Sequence, residues 1–164
     1  MESTKLKTVL GILRISMGLI FLWAFFDKLL GLGYATMPEK SWLAGGSPTS
    51  GFLQFGVHGP FAGFFHSLAG MGAVDWFFML GLLGIGVSLT LGIAMRLGGW
   101  SGILMLFFMY LAVGIQPANN PVIDDHLIYI LVIIVLMLTG SESYLGLGSW
   151  WKNHRLTQRF KILS

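Results

Sequence analysis

The chain contains no cysteine, which excludes disulfides, CxxC exchange, thiolate-bound metals and cysteine-ligated iron–sulfur clusters within it. Any redox chemistry must therefore draw on a cofactor, a quinone or a partner. Charge is scarce too: 10% of the 164 residues are Asp, Glu, Lys or Arg, against 55% hydrophobic. With a mean hydropathy of +0.77, this excludes an ordinary water-soluble domain and makes the lipid bilayer the solvent. Internal repeats are absent as well, which argues against a transporter built from inverted halves.

What is present is a set of long apolar runs. Residues 9–26, 76–95, 97–115 and 121–138 each predict a helix of about 27–30 Å, enough to cross the hydrocarbon layer. The expected fold is an all-α integral membrane protein, a four-helix transmembrane bundle forming one domain over residues 1–164. Lysines and an apolar core also open a signal peptide, but no small-residue cleavage site follows, so the first run reads as an uncleaved anchor. Arg96, Gly98 and Gly99 leave a tight connection between the second and third helices, making them antiparallel neighbours. Pro117 ends the third helix; Asn120 and Pro121 supply an N-cap and first-turn proline for the fourth.

The net charge of +3 does not point to nucleic acid, because the basic residues sort by membrane side. Lys5, Lys7, Arg96, Lys152, Arg155, Arg159 and Lys161 fall on one side and only Lys28 and Lys40 on the other. The positive-inside rule then puts both termini in the cytoplasm of a multi-pass inner-membrane protein. Residues 139–164 form a cytoplasmic tail, and residues 29–75 an outer linker too long to be structureless. Three helical units are expected in that linker. Thr36 and Glu39 have capping-box spacing around Pro38, Ser47 caps a helix opened by Pro48, and Phe61, Phe64, Phe65 and Leu68 make one greasy face.

Gly84, Ser88 and Gly92, and again Gly98 and Gly102, have the spacing that lets helices approach closely in lipid. Trp23, Trp76, Trp100, Trp150 and Trp151 fit interfacial anchors. Arg14 lies inside the first span. It either snorkels to the cytoplasmic surface or faces the bundle, with Glu142 as its best intrachain partner. The other spans lack ionisable stations, which argues against a channel or pump.

The chemistry-bearing residues collect on the outer side. Carboxylates at Asp124 and Asp125 suit the start of the fourth helix. Asp125, His126 and Tyr129 can share one helix face as acid, imidazole and phenol, an arrangement that can handle protons at a quinone. Trp42, Phe64 and Phe65 are expected to wall the ring pocket, with Asp27, Lys28 and Asp75 on its polar side. His58, His66 and His126 lack metal-binding spacing, so no metal or haem site is read.

The segment LRISMGLIFLWAFFDKLLGLG, with Arg14, Gly18, Phe21 and Lys28, and the segment NPVIDDHLIY together resemble the DoxX/DoxD family of four-helix membrane proteins. WLAGGSPTSGFL, residues 42–53, is similar to the DoxD-type small subunit of thiosulfate:quinone oxidoreductase. The likeness covers about residues 10–147. It implies a membrane subunit that passes electrons from a sulfur compound such as thiosulfate to the quinone pool. Without cysteine, a partner would have to activate thiosulfate. The rival expectation is a non-catalytic accessory or assembly subunit of a larger redox complex, or a homo-oligomer, joined through its glycine-rich faces.

Overall fold

The computed structural model describes residues 3–113, 122–154 and 157, and among them every regular element is helical. Helix α1 spans Thr4–Leu30, longer at both ends than expected from hydropathy. The Ser3 side chain accepts from the Leu6 amide, and Gly31, at φ 70°, ends the helix by returning its N–H to the Asp27 carbonyl. Asp27 and Lys28 consequently sit in the last helical turns. Between these caps nothing breaks the helix.

Helix α2 (Ala62–Ser67) belongs to the linker and precedes α3 (Gly72–Leu91) and α4 (Met95–Val113). The α3–α4 connection is not the expected one. Gly92 adopts φ 73° and caps α3, and Ala94 also has positive φ, at 48°. Arg96, Gly98 and Gly99 therefore lie within the first turns of α4. The Ser88 hydroxyl ties the turn down by donating to the carbonyls of Ile93 at 2.7 Å and Ala94 at 3.2 Å, while its side chain rests on Gly98.

Helix α5 covers Asp125–Leu138. Its N-cap is Asp124, which accepts from the Leu127 amide at 3.1 Å, so the expected start at 121 is corrected. Ile115, Pro117, Asn120 and Pro121 lie outside the described residues. After α5 come a 3₁₀ turn, Ser141–Ser143, and α6, Gly148–Lys152. Three helices, α1, α3 and α4, are long and apolar enough to cross a membrane by length and composition; α5 is a shorter apolar helix.

Helix α1 packs along α3, α3 on α4, and α4 on α5, which returns to touch α1. The core between them is formed by Met17 and Phe21 of α1, Met79, Leu82 and Ile85 of α3, Leu106 of α4, and Ile133 and Leu136 of α5. Exposed Trp23, Trp76, Trp100 and Trp150 lie on the outside of the packed helices. Gly18 and Gly86 bring α1 and α3 close. A Cβ at Gly86 would stand 2.9 Å from the Leu22 amide nitrogen.

The linker folds back over one end of this assembly, called here the linker end. Its first unit is a 3₁₀ turn, Pro38–Lys40, preceded by Met37 rather than capped by Thr36. In the second, the Ser47 hydroxyl accepts from the Ser50 amide at 3.0 Å, but the single π-helical turn that follows, Phe52–Gly56, has Gly51 as its N-cap. The third is α2. A second small core, Leu53, Val57, Phe65 and Ala112, joins the linker to α4. The His58 amide fixes the same junction by donating to the Ala112 carbonyl at 3.0 Å.

Candidate functional site

The residues that the sequence gathers into one site are divided by the fold into three groups. At the start of α5, Asp124 has extended geometry (φ −124°, ψ −179°), which turns its carboxylate back over the first turn. One oxygen caps the helix and the other lies 2.6 Å from His126 Nδ1. Asp125 is 3.5 Å from the same nitrogen, but its side chain is 70% exposed. Helical spacing groups Asp125 and His126 with Tyr129 on one face, whereas the carboxylate that the structure places against the imidazole is that of Asp124. The pair is two residues apart, a spacing that does not meet within a helix and closes here because Asp124 is the extended N-cap. Tyr129 is half-buried against the main core.

Asp27 and Asp75 form the second group, and both hold the linker in place. Asp27, 2% exposed, accepts from the amides of Tyr34 at 3.2 Å and Ala35 at 3.0 Å. Asp75 accepts from the Ser47 hydroxyl at 2.9 Å, and from the Thr49 amide at 3.2 Å and hydroxyl at 2.5 Å. Buried carboxylates with this many donors are satisfied structural groups. Trp42 belongs with them. Its ring meets Trp76 edge-on at 4.6 Å, and its amide donates to the Lys28 carbonyl at 2.9 Å.

The third group, Lys28, Phe64 and Phe65, lines a cavity of about 630 Å³. Its roof is the linker: Pro48, Thr49, Phe52 and Leu53, with the two phenylalanines of α2. Its walls are α3, through Val74, Phe77, Phe78, Gly81 and Ile85, and α4, through Ser101, Leu104, Met105, Phe108 and Ala112. Phe64, Phe77, Leu104 and Phe108 are also exposed, so the cavity is a groove open sideways between α3 and α4. Lys28 is the one charged residue in its lining. Its ammonium makes no hydrogen bond or ion pair among the described residues. An apolar groove with a single charged hydrogen-bond donor at one end suits a hydrophobic molecule with a polar head.

The sequence offers little warning of the α3–α4 part of this groove. Both helices read as uniformly apolar, and a lipid-facing phenylalanine looks the same as a groove-lining one. The only local hint is Gly81, whose missing side chain makes room for the end of Met105.

At the opposite end Arg14 is fully buried and does not snorkel. Nε donates to the Ser141 carbonyl at 3.2 Å, Nη1 to those of Leu89 and Thr90 (3.0 Å for Thr90), and Nη2 to those of Tyr144 at 3.0 Å and Leu145 at 3.2 Å. The acceptors on α3 are carbonyls at its C-terminus, which lack partners within the helix and carry the negative end of its dipole. Glu142 pairs instead with Lys152 at 2.5 Å. Arg14 thus joins α1, α3 and the loop after α5. His58 and His66 are exposed linker residues outside the groove lining.

Comparison of the chain with protein-family models, with curated proteins and with solved structures gives no match.

Proposed function

We propose that the chain is the membrane subunit of a quinone-linked oxidoreductase. In this reading α1, α3, α4 and α5 cross the cytoplasmic membrane as a four-helix bundle, with both termini inside and the linker outside. The observation that carries it is the apolar groove with Lys28 as its only charged residue. Its residues fit a quinone: aromatic and aliphatic walls for ring and tail, and an ammonium able to donate to a ring carbonyl. The family resemblance in residues 13–33, 42–53 and 120–129 supports the same assignment, with a sulfur compound such as thiosulfate as electron source and a partner subunit to oxidise it.

When bound, the quinone supplies two-electron, two-proton redox chemistry. Lys28 orients the head and donates a hydrogen bond to it. Phe64 and Phe65 exclude water from the ring. The Asp124–His126 pair lies outside the groove lining and would hold a proton at the aqueous edge, where His126 Nδ1 faces the Asp124 carboxylate, rather than at the bound head.

The test is to purify the native protein in mild detergent, extract its lipids and identify proteins that accompany it. Bound quinone that is lost in Lys28→Met supports the reading. A stoichiometric protein partner with no quinone would replace it with the accessory-subunit reading.

A further inference from the structure

The groove has a defined depth. On α3 its lining runs from Val74 to Ile85, and on α4 from Ala112 back to Ser101. Each stretch covers about 17 Å of helix, close to half of a hydrocarbon layer of about 30 Å. Lys28 and Thr49 mark the linker end, while Ile85 and Ser101 mark the deep end. The width is set locally by Gly81. A Cβ there would collide with the terminal methyl of Met105, and both residues line the groove. Because the obstacle is the end of a flexible side chain, a larger residue at 81 would turn Met105 into the open space.

We propose that the groove is a tail channel one leaflet deep, which seats the hydrocarbon tail of a long-tailed quinone between α3 and α4 with its head at Lys28, and that Gly81 and Ser101 set its bore and depth. This rests on the quinone reading above and adds the orientation of the ligand and the residues that select for its tail. Lys28 supplies the one charged donor of the lining and sets the head at the linker end; the Thr49 hydroxyl there is already given to Asp75, and the neutral Ser101 hydroxyl at the deep end is the weaker competitor. The tail then follows the apolar walls toward the midplane. Any portion longer than the groove leaves through the side opening flanked by Phe77, Leu104 and Phe108.

The experiment measures the affinity of the full-length protein in nanodiscs for tail-less and decyl-tailed forms of the same quinone, using both benzoquinone and naphthoquinone heads. With concentrations compared within the lipid phase, the wild type should prefer the decyl form severalfold, through packing of the tail on the groove walls rather than through transfer out of water. In Gly81→Leu and, separately, Ser101→Phe, that preference should disappear, with the thermal unfolding midpoint as the control for folding. Lys28→Met should weaken both forms alike. Quinone binding with an undiminished tail preference in both variants overturns the tail channel and leaves the quinone reading intact. Failure of every quinone to bind the wild type, or a tightly held phospholipid that quinone does not displace, overturns both.

Discussion

Arg14 Nη1 lies 3.0 Å from the carbonyl oxygen of Thr90, joining the middle of α1 to the end of α3. This bond is one of five from the guanidinium, all to main-chain carbonyls and none to a carboxylate. A buried charge in an apolar protein is thus compensated by peptide carbonyls, two at the end of α3 and three in the segment after α5.

Arg14→Lys can replace at most three of the five donors, and Arg14→Met none. Each carbonyl left buried without a partner costs roughly 1–3 kcal/mol. Arg14→Met is therefore expected to lower the thermal unfolding midpoint in detergent sharply, with Arg14→Lys intermediate. Quinone affinity in the lysine variant should stay near wild type, because the groove lies at the other end. Equal midpoints for wild type and methionine variant would show that the carbonyl cage contributes nothing.

Asp75 has the corresponding role at the linker end, where Oδ1 alone accepts three hydrogen bonds from Ser47 and Thr49. Asp75→Asn retains an acceptor oxygen there and Asp75→Ala does not. The alanine variant is expected to lose about 1–3 kcal/mol and to expose residues 47–57 to hydrogen exchange, while the asparagine variant stays close to wild type. Exchange in that segment, compared between the two variants, is the measurement.

The glycines separate packing from mere composition. A side chain at Gly86 meets the backbone of α1 at Leu22, whereas Gly84, two residues earlier on the same helix, has nothing within 4 Å of a built Cβ. Gly86→Val should break the α1–α3 contact and unfold the protein at lower temperature. Gly84→Ala should be neutral or stabilising, by up to about 1 kcal/mol from helix propensity. A melting series in one detergent tests both.

The same glycines mark how far sequence reasoning reaches. Hydropathy locates the apolar segments that become α1, α3, α4 and α5, because period and length are local properties. Gly84, Ser88 and Gly92 look like one stripe, yet Gly84 faces open space, Ser88 clamps a turn and Gly92 is a left-handed cap. Which neighbour a small residue meets depends on tertiary packing. Arg14 shows the same limit: its charge was legible, but its carbonyl partners come from residues 89–90 and 141–145, and no pattern in the chain announces them. Within the site, Lys28, Phe64 and Phe65 converge as the sequence suggests. Asp27, Asp75 and Trp42 were drawn there by polarity or aromatic character alone and are used to hold the linker.

The start of α5 gives the sharpest division of roles. Asp124 is both the N-cap and the 2.6 Å partner of His126, while Asp125 points largely into the surroundings. Asp125→Ala is therefore expected to leave stability and turnover close to wild type. Asp124→Ala should cost about 1 kcal/mol through the lost cap and also release His126, whereas Asp124→Asn keeps a capping oxygen and removes the charge beside the imidazole. If the Asp124–His126 pair exchanges protons for the quinone site, Asp124→Asn and His126→Ala should each lower quinone turnover of the complex with its electron-donating partner by about 10²-fold. Quinone affinity should not change, because neither residue lines the groove. A loss of affinity equal to the loss of turnover would place His126 at the bound head and require the groove assignment to be redrawn.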